Sequence, residues 1–188
     1  YSSAACGKCK GYTEKALEIF KKGQILPQSL GAGIWNHCKL VPLKFFEALS
    51  LEKLGNKAEA DDIFAYIADI GIEYFSNMHL KELPYYQAYA CQHLGENIKA
   101  QRLITRYRRE WSGIDKTADN GFFGTTPFFI SFTDDPNRLR RALHCYLNAL
   151  ICDFTGEKEK AQEYISECLS LNSENLPALS FKIQGFLH

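Results

Sequence analysis

Residue types able to do chemistry are present, but their spacing does not gather them. Five histidines, His37, His79, His93, His144 and His188, are scattered along 188 residues. None sits in an HExxH, GxSxG or phosphate-loop context, and no paired carboxylate motif is present. His144 and Cys145 are sequence neighbours; on a helix adjacent side chains point apart, so they make a poor nucleophile–base pair. Cys6-Gly-Lys-Cys9 has the form of half a zinc ribbon, yet no second pair follows at ribbon spacing, and His37 with Cys38 is a poor substitute. It is expected to be an ordinary i, i+3 pair on a helix, with no metal. Arg102, Arg106, Arg108 and Arg109, and then Arg138, Arg140 and Arg141, form two basic clusters. With 22 basic against 22 acidic residues, they are expected to be solvated faces or partners of Asp134 and Asp135, because nucleic-acid binding needs a broad basic surface.

What remains is recognition. Tyr85, Tyr89 and Gln92 fall at i, i+4 and i+7, with His93 adjacent. Phe45, Leu49, Glu52 and Lys53 hold the same places about forty residues earlier, and Tyr146, Leu150, Asp153 and Phe154 hold them later. An aromatic surface carrying a few polar groups is the make-up of a binding groove; a helical aromatic stripe is equally that of a packed core. The candidate binding residues are Phe45, Leu49, Tyr85, Tyr89, Gln92, His93, Tyr146 and Asp153, joined by Phe122 and Phe128 of an aromatic insert. No residue is assigned to catalysis, metal or cofactor.

The elements that must position these residues announce themselves by repetition. The pattern A-x6-G-x4-A occurs four times, as Ala4–Gly11–Ala16, Ala48–Gly55–Ala60, Ala88–Gly95–Ala100 and Ala149–Gly156–Ala161, and such periodicity is read before anything else. Two antiparallel helices joined by a short turn favour small residues where they cross. The glycine ends the first helix in a left-handed cap. Helix formers then restart the chain, and a large apolar residue, Phe20, Phe64, Ile104 or Ile165, follows one turn beyond each second alanine. The offsets predict a single all-α domain, 1–188. Its units cover about 1–23, 40–71, 82–111 and 139–170, with a terminal helix over 174–187 whose Leu176, Leu179, Ile183 and Leu187 are spaced for one face. Pro42 and Pro84 suit first helical turns.

Residues 112–137 interrupt the pattern with Phe122, Phe123, Phe128, Phe129 and Phe132 among Gly, Thr, Asp and Pro. A loop this long inside a compact domain is uncommon and is usually functional or disordered, and five phenylalanines argue against disorder. It is either extra core that plugs the stack or a lid over one face of it. The insert is expected to be ordered, with some of its phenylalanines on the Tyr85/Tyr89/Tyr146 surface.

Small-x6-Gly-x4-Ala-x3-Phe/Ile resembles the tetratricopeptide repeat, and Pro27 fits the proline near the end of a unit. The family's tryptophan-and-leucine opening is missing, and the glycines are 44, 40 and 61 residues apart against a repeat of about 34. The resemblance implies a right-handed α–α superhelix and a protein or peptide partner. The lysine–asparagine clamp with which some members hold a peptide carboxylate is absent, since Phe45/Leu49, Tyr85/Tyr89 and Tyr146/Leu150 stand there. The insert, G-F-F-x3-P-F-x3-F-x-D-D, is similar to the C-terminal region of large bacterial proteins in which repeats follow β-rich domains of carbohydrate-enzyme type. That likeness implies a bacterial, cytoplasmic origin and a sugar-related context.

Composition bounds the rest. A zero formal net charge gives no field to recommend nucleic acid or a membrane surface. No apolar run approaches membrane-spanning length, and no leader is visible. Seven cysteines, an odd number, lie mostly in helical segments; Cys91, Cys145, Cys152 and Cys168 fall near the alanine faces as small apolar side chains, which favours a reducing compartment. The chain starts without methionine, inside its first unit, and reads as a piece of a longer protein. The leading expectation is a non-catalytic interaction or scaffold module that holds a partner chain or a neighbouring domain of its own protein. The alternative is an accessory helical domain of a carbohydrate-active enzyme, lending Phe122 or Tyr89 to a sugar site.

Overall fold

In the computed structural model, residues 2–25, 40–71, 81–111 and 136–184 are described. Among them are eight helices and no strand: α1 Ser2–Gly23, α2 Val41–Lys53, α3 Lys57–Asp69, α4 Leu83–His93, α5 Asn97–Trp111, α6 Pro136–Phe154, α7 Lys158–Leu171 and α8 Leu176–Gln184. The protein is all-α. It divides into two compact units, Tyr1–Leu103 and Ile104–His188, with the division inside α5.

Three turns explain the spacing of the repeat. Gly55, Gly95 and Gly156 have φ of 87°, 80° and 80°, the left-handed region that a side chain disfavours. At each, the glycine N–H bonds to the carbonyl three residues back, as Gly55 to Glu52 at 3.0 Å. The next N–H reaches five back: Asn56 to Leu51 at 2.9 Å, Glu96 to Cys91 at 2.8 Å, Glu157 to Cys152 at 2.8 Å. This double closure satisfies the orphan carbonyls of the ending helix. The same residue after the glycine then accepts the first bond of the following helix. Ala60 donates to Asn56 at 3.1 Å, Ala100 to Glu96 at 3.0 Å and Ala161 to Glu157 at 3.0 Å. The glycine-to-alanine distance is thus the closing bond of one helix plus the opening bond of the next.

In the first unit α2 packs on α3, with α1 against α2 and α4 against α3 and α2. Ala48, Ala60 and Ala88 are fully buried, Ala100 almost so, which is what close helix approach requires. Phe45 is the centre of an aromatic interior. Its ring lies 5.3 Å from Tyr86, 5.8 Å from Phe64, 5.9 Å from Phe46 and 6.2 Å from Tyr89, mostly edge to face, the arrangement ring quadrupoles favour. Gln87, buried, caps the end of α3 by donating its amide to the carbonyls of Ile67 (3.2 Å) and Ile70 (2.7 Å). In the second unit α6 packs on α7 and α7 on α8, with Ala149, Ala161, Leu147, Leu150 and Ile151 buried.

Two expectations need correction. Unit one is not a hairpin: α1 runs unbroken through Gly11, whose φ is not positive. The other glycines are followed by Asn-Lys, Glu-Asn or Glu-Lys, polar residues able to open a new helix. Gly11 is followed by Tyr12, and a helical glycine costs only about 1 kcal/mol relative to alanine. Of the face expected for the terminal helix, Leu176 is exposed and Leu179 half-buried, while Ile183 and Leu187 lie outside the described side chains. Among the described side chains of α8, Ala178 is buried, and Phe181 reaches Tyr146 with ring centroids 6.1 Å apart. In addition, α6 begins at Pro136, so the last two residues of the expected insert are helical; its aromatic part, with Phe122 and Phe128, lies outside the described residues.

Candidate functional site

The aromatic stripes are interior. Phe45 and Tyr85 are wholly buried, and Tyr89 and Tyr146 nearly so, as is Asp153; Leu49 is half-buried, Gln92 exposed and His93 half-buried. Each unit folds its own rings inward. Tyr85 lies edge-on to Tyr86 and Tyr89 at 5.4 and 4.8 Å, and Tyr146 packs towards α8. Among the described residues the surface expected as a groove floor is packing, and its edge alone reaches solvent.

That edge is built in the first unit where the last turns of α2 and α4 come together. His93 Nδ1 stands 3.3 Å from Oε2 and 3.4 Å from Oε1 of Glu52. The imidazole lies flat on the Phe64 ring, centroids 4.4 Å apart and planes within 7°, and 6.5 Å from Phe45. The stack holds the ring plane and the carboxylate holds its Nδ1 edge, so the rotamer is set from two sides. When Nδ1 carries the proton and donates to Glu52, Nε2 is left as an acceptor. The His93 side chain is 27% and that of Glu52 37% exposed, enough for both to meet a ligand. Gln92, the residue before His93 on α4, is exposed.

Sequence reasoning named Gln92 and His93, and noted Glu52 as the counterpart of Gln92, but did not join Glu52 to His93. A signal was there. Glu52 lies four residues after Ala48 and His93 five after Ala88, so neighbouring copies of one register bring these offsets together. Glu47 was missed as well. Buried beside α1, it accepts from the Gln24 amide and stands 3.8 Å from Lys21 Nζ, tying α1 to α2. Cys6 and Cys9 fall within α1; their side chains lie outside the described residues, as do His37, Cys38, Asp134 and Asp135.

Burial shifts several titratable groups of the interior. Desolvation raises the Glu82 carboxyl, and burial, with the nearby Glu82 charge, raises the Tyr86 phenol. Cys91, Cys145, Cys152 and Cys168 are buried and free. Burial first, and then Glu167, pushes Cys145 up to about 12, so these thiols are packing groups and poor nucleophiles. The basic clusters meet acids on the surface: Arg106 bonds Glu110 at 2.7 Å, while Arg108 reaches Glu157 and Arg141 reaches Glu167, both at 3.5 Å. Among the described residues, no group of three His, Cys, Asp or Glu side chains is placed to hold a metal ion, and no helix is long and apolar enough to cross a membrane.

The edge therefore presents an imidazole stacked on an aromatic ring beside a carboxylate. Compared with known proteins, the chain matches no family model, no curated protein and no solved structure.

Proposed function

We propose that this chain is a non-catalytic protein-interaction module, its hairpins tetratricopeptide-like units of an α–α superhelix, that holds a peptide segment of a partner or a neighbouring domain of its own protein. The observation that carries the reading is the Glu52–His93 edge, with exposed Gln92 next in sequence. The imidazole is pre-oriented by a ring stack and a contact with the Glu52 carboxylate, so little of its rotamer entropy remains to be lost on binding. The four buried, free thiols suit a reducing, cytoplasmic setting.

The test is binding of the folded chain to an immobilised peptide array, with an oligosaccharide array in parallel. Peptides retained by the wild type should lose about tenfold or more in affinity with Glu52→Gln combined with Gln92→Ala, in the range of a lost charged hydrogen bond. Melting temperature should be unchanged. Peptide binding indifferent to both substitutions would remove this site, and retention of sugars but not peptides would transfer the reading to a carbohydrate-accessory domain.

A further inference from the structure

Elsewhere in the first unit, acids at the surface are paired with lysine. Glu59 takes Lys21 at 3.3 Å, Asp61 takes Lys57 at 3.0 Å, and Asp69 and Glu96 take Lys99 at 3.3 and 3.2 Å. Glu52 is different: among the described residues its partner is the imidazole of His93, at 3.3 Å. An imidazole that donates from Nδ1 and keeps Nε2 as an acceptor is neutral. It orients the carboxylate without cancelling the charge. Lys53, next in sequence on α2, is exposed and leaves the helix about 100° further round. The edge therefore keeps a negative charge with no cation set against it.

The neighbouring chemistry says which cation suits it. A carboxylate offers about four acceptor sites, of which the contact with Nδ1 uses one side, and His93 adds Nε2. The imidazole is held flat on Phe64, centroids 4.4 Å apart, so these acceptors have fixed directions. A guanidinium brings several N–H donors in one rigid plane and packs well on aromatic surfaces, whereas an ammonium is a strongly hydrated point charge. Arginine matches a planar set of acceptors beside a ring; lysine matches it less well. The chain's own arginines all lie on α5 and α6, where Arg106, Arg108 and Arg141 meet Glu110, Glu157 and Glu167.

We propose that the Glu52–His93 edge selects an arginine side chain of the bound peptide segment, its guanidinium donating to the Glu52 carboxylate and to Nε2 of His93. The inference rests on the reading of this edge as a peptide site and adds the residue it recognises. Acidic segments are disfavoured there by the same charge.

The experiment prints each peptide of an array in three copies, carrying arginine, lysine or citrulline, the last keeping the shape of arginine without its charge. The folded chain and its Glu52→Gln variant are applied, and soluble copies of retained peptides are measured by fluorescence anisotropy. Peptides held through this edge should lose about tenfold or more in affinity with citrulline, in the range of a charge-assisted hydrogen bond. Lysine copies should fall between. In Glu52→Gln the arginine and citrulline copies should bind within about twofold of each other, because the partner charge is gone. In the wild type, the His93 imidazole resonances should shift on adding the arginine copy and not the citrulline copy, a readout that does not depend on how the variant folds. Retention that depends on Glu52 but not on arginine overturns the inference and leaves the peptide reading standing. An arginine preference that persists in Glu52→Gln overturns it too, since the guanidinium would then be held elsewhere. If no peptide is retained, the inference falls together with the reading beneath it.

Discussion

Substituting alanine at Gly11 and at Gly55 should change stability in opposite directions. Gly55 is exposed, and a methyl group added there would meet no atom within 4 Å, so sterics with neighbours contribute nothing. The whole effect is the backbone: at φ 87° an L-residue costs roughly 1–2 kcal/mol. Gly11 likewise has open space around a methyl, but it lies inside α1, where alanine is favoured by about 1 kcal/mol or somewhat less. For a chain of this size the expected shift is about 2–4 °C of melting temperature per kcal/mol, downward for Gly55→Ala and upward for Gly11→Ala. Far-UV circular dichroism during thermal and urea unfolding measures both. Gly156→Ala, at φ 80°, is the replicate in the second unit and should behave as Gly55→Ala does. If Gly11→Ala destabilised the chain by as much as Gly55→Ala, Gly11 would be a turn in solution and α1 a hairpin, and the reasoning that makes α1 one unbroken helix would fall.

Other outcomes follow from the packing. Phe45→Ala should cost about 3–5 kcal/mol, the usual range for an aromatic deleted from a close-packed interior, read as a lower urea midpoint; a loss under about 1 kcal/mol would show that the rings around it collapse into the space. Gln87→Leu, by stripping the carbonyls of Ile67 and Ile70 of their donor, should cost about 1–3 kcal/mol, and hydrogen exchange should quicken at the end of α3. Alkaline pH should destabilise the second unit. Burial holds Cys145 near 12 and Cys168 near 11 against an ordinary 9, so the unfolded state loses these protons first, and stability present below pH 9 declines as pH rises from there towards 11 and 12. Cys145→Ala with Cys168→Ala should flatten that decline, and an unchanged slope would assign it to other groups.

The three hairpins were legible because each is written in local chemistry. A glycine that must be left-handed, a polar residue that both closes and opens a helix, and an alanine at a fixed distance leave little freedom. Gly11 misled because spacing alone was read as a turn; its following residue, Tyr12, lacks the polar cap that Asn56, Glu96 and Glu157 supply. Tyr85 and Tyr89 were legible as one helix face, yet periodicity reports which residues of a helix point together and not what lies opposite them. Tyr85 has Tyr86 and Tyr89 there, and Tyr146 has Phe181. The Glu52–His93 pair was hidden for another reason: it joins the ends of two first helices 41 residues apart, and only superposing the registers of neighbouring units reveals it.

The doubled role of Asn56, Glu96 and Glu157 bears on how this chain tolerates changes of length. One residue inserted between glycine and alanine would turn the second helix by about 100° about its axis. Phe64, now buried against Phe45 and His93, would swing towards solvent, and an exposed neighbour would take its place. Fusion tags, reporter loops or grafted epitopes therefore do not belong between the glycine and the alanine of a hairpin. Single-residue insertions should therefore fail sharply at three windows, each five residues wide and ending on Ala60, Ala100 or Ala161.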